Sequence, residues 1–325
     1  MAGHDIIVVG ASAGGVETLQ KLVALLPPDL PASVFVVQHT SPRAKSQLPL
    51  ILDRKGPLPA SFAEDGQEIL LGHIYVAPAD CHLLVEPQQM RVVRGPRENR
   101  HRPAIDPLFR SAAWAYGPRV VGVVLTGYLD DGTAGLWAIR TCGGVTVVQS
   151  SDDALYPEMP LNAARAADVD HSLPVSEIAP LLDRLAREPV DPGRARKPPA
   201  SLETEIEFAK MDRDISDMGR IGTLSPFTCP ACRGSLWELD DGGILRYRCH
   251  TGHAFSAESL VDGQSIEIEE ALYSALRALE EKATVLRRLH ERVGAAVSGL
   301  DYETRASELD QAAEVVRGLL AGRSS

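Results

Sequence analysis

The sequence predicts a doubly wound α/β domain, a mainly parallel sheet in three αβα layers, followed by a small zinc ribbon and a helical hairpin. Three observations predict it. Apolar, β-branched runs alternate with helix-forming stretches over residues 1–187, the mark of βαβ units. A Cys-x-x-Cys pair at 229–232 is followed, after a hairpin pattern, by Cys-x-x-x-His at 249–253. From Ile266 onward, apolar residues recur every three or four positions, the period of an amphipathic helix.

The elements follow in order. Residues 6–9 and 34–37 are unbroken apolar runs, as strands buried on both faces require. Between them a helix is expected over 14–26, stopped by Pro27 and Pro28. Short strands are expected at 74–76, 83–85 and 91–93, partly antiparallel. A helix over 105–116, a strand over 120–125, a helix over 134–141 ended by Gly143 and Gly144, and a strand over 145–149 complete the domain. Residues 188–223 begin rich in Pro and Arg and read as a linker, with an acidic stretch at 203–219 able to form a short helix. Residues 224–263 form the cysteine module and 264–325 the helices. Acids at Glu267, Glu269 and Glu270 open the first helix, and Arg287, Arg288 and Arg292 close it, as the helix dipole favours. With a second helix near 304–320, this segment reads as a hairpin or as a coiled coil that makes a homodimer.

The 325 residues carry a net charge of −11, without the basic excess of a nucleic-acid binder. No apolar stretch approaches the ~20 residues of a membrane span, and no signal segment opens the chain, so a cytoplasmic protein without membrane insertion is expected. Arg91, Arg94, Arg97, Arg100, His101 and Arg102 form one local basic stretch, which reads as a solvated basic loop or, as the functional alternative, a docking surface for an acidic protein partner.

Three segments follow buried strands: Gly10-Ala11-Ser12-Ala13-Gly14, Gln38-His39 and Asp130-Asp131-Gly132. In a parallel sheet such groups converge on one crevice, and they deliver a serine, a histidine and an acid. Gly10-x-Ser12-x-Gly14 has the pattern of a nucleophile elbow, with N–H groups of the following helix available to an oxyanion. It lacks the glycine spacing of a dinucleotide site and the lysine of a phosphate loop. His39 is the expected base and Asp131 its orienting acid, with Asp130 as the substitute. His73, His82, His101 and His171 have no comparable partner in the sequence. The order Ser, His, Asp differs from the Ser, Asp, His of α/β-hydrolases.

Residues 5–187 resemble the catalytic domain of the chemotaxis receptor methylesterases, the CheB family. The resemblance rests on residues 9–15 and 38–39, on Gly72-His73-Ile74-Tyr75-Val76-Ala77-Pro78, and on Arg102-Pro103-Ala104-Ile105-Asp106-Pro107-Leu108-Phe109. It continues through Leu125-Thr126-Gly127, Asp131-Gly132 and Met159-Pro160. It implies hydrolysis of glutamyl γ-methyl esters on a methylated chemoreceptor or related signalling protein, with release of methanol and often glutamine deamidation. It implies Ser12 as nucleophile, His39 as base and Asp131 as orienting acid, with no cofactor for the chemistry. The oxyanion donors it implies are the backbone N–H groups of Ala13 and Tyr128. Where the family has glycine this chain has Leu129, so the turn before Asp131 must suit a branched residue. Phosphorelay members carry a receiver domain ahead of the esterase. This sequence enters the first esterase strand at once, which implies a switch other than an attached receiver.

In the cysteine module, strand 236–239, a turn at 240–243 and strand 244–248 bring Cys249 back beside Cys232. Cys229, Cys232, Cys249 and His253 are expected to hold a structural Zn²⁺, with His250 as the rival fourth ligand. Trp237, Tyr247 and Phe255 are expected to form the module's core. A non-catalytic adaptor that keeps the esterase fold is the alternative from another class, and a nucleotide-binding α/β protein a third.

Overall fold

A computed structural model of the chain describes residues 3–43, 46–212, 218–293 and 301–322. It divides into two compact units, Met1–Leu260 and Val261–Ser325. The first unit opens with β1 (Ile6–Ala11), α1 (Gly15–Ala24), β2 (Ser33–Gln38), α2 (Leu48–Lys55), β3 (Ala60–Phe62), β4 (Ile74–Val76), β5 (His82–Glu86) and β6 (Gln89–Val93). It continues with α3 (Ile105–Tyr116), β7 (Val120–Val124), α4 (Thr133–Thr141), β8 (Val145–Gln149), α5 (Glu158–Ala166), β9 (His171–Leu173) and α6 (Val175–Arg187).

Seven strands form one sheet in the order β3-β4-β2-β1-β7-β8-β9, and every neighbouring pair is parallel. Alternate side chains of the central strands serve opposite layers. Ile7, Val9, Val36 and Val123 pack with Leu19 and Leu22 of α1, Leu52 of α2 and Leu182 of α6. Val8, Phe35 and Val124 pack with Leu108 and Phe109 of α3 and Leu136 of α4. Both faces are covered, which is why these strands read as continuous apolar runs. The chain grows from β1 toward β2 on one side and toward β7 on the other, so the strand order reverses at β1. The crevice at that switch point is where such folds carry their sites. Strands β5 and β6 form a separate antiparallel hairpin. The three-residue strands β3 and β9 are too short to announce themselves as periodic runs.

The stretch 188–223 carries more structure than a linker's composition suggests. Helix α7 (Ala200–Lys210) buries Leu202, Glu205, Ile206, Phe208 and Ala209, and α8 (Met218–Ile221) buries Met218. An antiparallel sheet follows, in the order β10 (Thr223–Thr228), β11 (Ser235–Asp241), β12 (Ile244–Cys249) and β13 (Ala254–Ser256). Tyr247 and Phe255 pack in the module's core with Leu236 and Leu260. Trp237, expected to join them, points to the other face and packs with Phe208, Met218 and Leu239 instead, because neighbouring strand positions face opposite ways.

Helix α9 (Ala257–Val293) starts nine residues before the apolar repeat at Ile266. Its start is fixed by Ser256, whose Oγ accepts the Ser259 N–H at 3.0 Å as an N-cap. In the second unit, Arg287 pairs with Asp310 and Glu280 with Arg317, which sets α9 antiparallel to α10 (Tyr302–Ala321). Ala283, Ala306 and Ala313 are buried there, small enough for the two helices to lie close. Among the described residues no helix is long and apolar enough to cross a membrane.

Candidate active site

The turn after β1 is shaped by Gly14, whose φ of +72° caps α1 in the left-handed region that a side chain disfavours. Gln38 at the end of β2 locks this turn: its Nε2 donates to Ser12 O at 2.7 Å and to His39 O at 3.0 Å. From the β7 side, Thr126 O accepts the Ser12 N–H at 3.0 Å and Thr126 Oγ1 donates to Ala13 O at 3.0 Å. Gly127 lies so close that a Cβ there would sit 2.7 Å from Ser12 Cβ. The absence of a side chain at 127 is what lets the β7 loop reach the serine.

The three residues expected at the sheet edge come together. Ser12 Oγ lies 3.1 Å from His39 Nδ1, and His39 Nε2 lies 2.7 Å from Asp131 Oδ2. The ring nitrogens are used in the opposite order to chymotrypsin, where Nε2 serves the serine. The His39 and Asp131 side chains are 5% and 3% exposed, so water does not compete for their bond. Burial pushes the Asp131 carboxyl up. The hydrogen bond to His39, helped by the Ile105 N–H at 2.7 Å and Asn99 Nδ2 at 2.9 Å, outweighs it and holds the carboxyl well below the usual range. Asp130, the substitute acid, turns elsewhere and accepts from Ser256 Oγ at 2.6 Å. Its carboxyl is pushed up to about 7, first by burial, against the Ser256 bond.

The N–H groups of Ala13 and Tyr128 have no acceptor among the described residues, so both are available to an oxyanion. Tyr128 itself is exposed and tilts against Tyr156, with 4.7 Å between ring centroids. Leu129 takes φ +61°, the left-handed conformation for which glycine is the usual residue. Its carbonyl is held by Asn162 Nδ2 at 3.0 Å.

Two neighbours of the site were not apparent from the sequence. The His101 ring stacks on His39 at 3.7 Å and 9°. Burial and the nearby His39 push its pKa down to about 3, so it packs as a neutral ring. Asn99 reaches Asp131 from the same loop. Both lie inside the basic stretch, where the abundance of arginine hid them. That stretch is also less basic in space than in sequence: Arg91 pairs with Asp65, and Arg94 and Arg102 both pair with Asp80. Arg97, Arg100 and Arg102 still line a cleft of about 340 Å³ beside His39.

Away from the sheet, the ligand atoms of Cys229, Cys232, Cys249 and His253 lie within 4.8 Å of one another. Cys229 Sγ is 3.8 Å and Cys249 Sγ 3.6 Å from His253 Nδ1, and the Cys232 and Cys249 sulfurs are 3.6 Å apart. A tetrahedron built on Zn–S bonds of about 2.3 Å has edges of about 3.8 Å, so the spacing suits that ion. His250 is outside this set. Its ring meets Trp237 edge-on at 6.4 Å.

A nucleophile, imidazole and buried carboxylate in hydrogen-bonded series, at the switch point of a doubly wound sheet, is the arrangement of a serine hydrolase. The chain belongs to the CheB methylesterase family, whose model matches residues 7–182. A protein-glutamate methylesterase/protein-glutamine glutaminase of Anaeromyxobacter dehalogenans is 38% identical over 188 residues, 57% of this chain and 52% of that protein. The chain thus spans about half the length of that relative. A putative enzyme of the same name from Leptospira interrogans is 37% identical over 183 residues, 56% of this chain and 95% of that protein. The crystal structure of the Thermotoga maritima CheB methylesterase catalytic domain superposes with a TM-score of 0.55 at 32% identity, covering 57% of this chain and 100% of that one. All three matches cover a little over half of this chain.

Proposed function

We propose that this protein hydrolyses glutamyl γ-methyl esters on chemoreceptor-like proteins, releasing methanol, and that the same site deamidates glutamine side chains. The observation that carries the reading is the series Ser12 Oγ, His39 and Asp131, joined at 3.1 and 2.7 Å on one sheet edge of a CheB-family chain. Ser12 Oγ attacks the ester carbonyl as His39 Nδ1 takes its proton, and Asp131 stabilises the imidazolium through Nε2–H. The oxyanion is received by the N–H groups of Ala13 and Tyr128. The same proton then passes to the leaving oxygen, which departs as methanol, or to the leaving nitrogen of an amide, which departs as ammonia. Water, activated by His39, frees the glutamate from Ser12. None of these steps calls on a metal or an organic cofactor.

The arginine-lined cleft beside His39 favours an acidic protein segment as the substrate's surroundings. The reading includes a cytoplasmic location and one structural Zn²⁺ on Cys229, Cys232, Cys249 and His253. It includes a homodimer through the C-terminal helices, favoured by the exposed apolar side chains of Ile268, Tyr273 and Val285. Methanol release from a methylated receptor fragment tests the chemistry. Ser12→Ala is expected to lower it about 10⁴–10⁶-fold, and a near-normal rate would refute the assignment. Elemental analysis of the purified chain is expected to find one zinc per molecule, and a folded metal-free module would count against the ribbon.

A further inference from the structure

The loop 97–101 is gripped from the C-terminal module. The Ala254 N–H donates to Arg97 O at 3.2 Å and the Asn99 N–H to Ala254 O at 2.8 Å, a strand-like pairing with β13. Glu98, fully buried, is clasped by Arg110 of α3 and by Arg248 of β12, whose Nη2 donates at 2.9 Å. Beside it, the Asn99 side chain spans the boundary between the module and the triad. Its Oδ1 accepts the Ser256 N–H at 2.9 Å and the Ser259 hydroxyl at 3.1 Å. Its Nδ2 donates to Asp131 Oδ1 at 2.9 Å and Asp106 Oδ2 at 3.0 Å.

This amide has one orientation. Reversed, it would set its oxygen against two carboxylates and its NH₂ against two donors. Its backbone, at φ +47°, takes the left-handed conformation that asparagine tolerates better than most residues. Asp106 and Asp131 are buried carboxyl groups with one amide hydrogen-bonded between them, and burial, then the Asp131 charge beside it, pushes the Asp106 carboxyl up to about 7. The other groups on Asp131 are the Ile105 and Asp106 N–H groups and His39. Among the described residues, Asn99 is therefore the side chain that ties the catalytic acid directly to residues beyond 250.

Building on the esterase reading above, we infer that Asn99 is a positioning residue, through which the C-terminal module sets the catalytic acid. Ser256 and Ser259 orient the amide, the amide orients Asp131, and Asp131 orients His39. The appendage in this account completes the site from behind, on the side away from Ser12.

The experiment uses the full chain and a fluorophosphonate probe, which needs no knowledge of the natural substrate. Ser12 Oγ forms a bond to phosphorus, fluoride leaves, and His39 takes the hydroxyl proton, so the labelling rate reports triad competence. Asn99→Asp keeps the acceptor for Ser256 and Ser259 but loses the donor to Asp131, and is expected to slow labelling about 10–100-fold. Ser259→Ala removes one of two donors to the amide and is expected to slow it about 2–10-fold, with little change in melting temperature. A double-mutant cycle separates positioning from general loosening. In the Asp131→Ala background, Ser259→Ala is expected to slow labelling less than about 2-fold, because its route to the ring is gone. Wild-type labelling rates in both single variants would overturn the inference while leaving the esterase reading intact, as would a Ser259→Ala effect that persists unchanged without Asp131. Labelling that survives Ser12→Ala would overturn both.

Discussion

Around β1, the fully buried side chains are hydrocarbon: Ile7, Val8, Val9 and their neighbours Phe35, Val123 and Val124. Where α3, α7 and β12 meet, they are Arg110, Arg248, Glu98 and Glu205, with Arg246 and Asp241 close behind. Arg248 Nη2 donates to Glu98 at 2.9 Å and to Glu205 at 2.8 Å, Arg246 pairs with both Glu205 and Asp241, and Arg110 pairs with Glu98. Three guanidinium groups and three carboxylates thus hold the C-terminal module against the esterase domain. Apolar burial is strong but non-directional, and it sets the layers of the sheet. Buried ion pairs add little net stability over an apolar contact, yet each charge tolerates few partners and positions. The difference teaches that the sheet provides the stable platform, while the charged contact fixes where the module sits. A module that touches Asn99 needs that precision of placement.

The comparison can be broken at Glu205, which serves Arg246 and Arg248 at once. Glu205→Ala leaves both guanidinium groups short of a partner and is expected to cost about 3–5 kcal/mol in denaturant unfolding. A loss near 1 kcal/mol would mean that the apolar contacts of Leu202 and Phe208 dock the module instead. A smaller effect sharpens it at Asp130, which meets Ser256 at the same boundary. With its folded pKa raised from 3.8 to about 7, this carboxyl favours its protonated form in the fold. Its contribution is fully present below pH ~4 and is lost as the pH rises toward 7. Asp130→Asn is therefore expected to stabilise the protein by about 1–3 kcal/mol at pH 8 and hardly at all at pH 4. An equal gain at both pH values would contradict the burial argument.

The juxtaposition of Ser12, His39 and Asp131 was legible in the sequence because each lies just past an apolar run, Asp131 after a short loop. Parallel pairing of β2, β1 and β7 then leaves those ends side by side. The four metal-ligand candidates were legible through spacing, with a turn of the Gly242-Gly243 type to fold one pair onto the other. What stayed hidden depends on long-range pairing. Glu205 reads as one acid among many in a Pro-flanked segment, and only the three arginines around it make it a buried residue. Asn99 and His101 sit in a loop without periodicity, and the partners that matter lie far along the chain: Asp131 and Ser259 are 32 and 160 positions from Asn99, and His101 stacks on His39. Leu129 was readable as an oddity, and its positive φ is the form that oddity takes.

The most direct test of the account is the rate of methanol release in Ser12→Ala, in His39→Ala and in the two combined, all in the full chain. If the hydroxyl and the imidazole act as one unit, each single variant falls about 10⁴–10⁶-fold and the double variant falls no further. A His39→Ala rate within tenfold of wild type, or losses that multiply in the double variant, would contradict it.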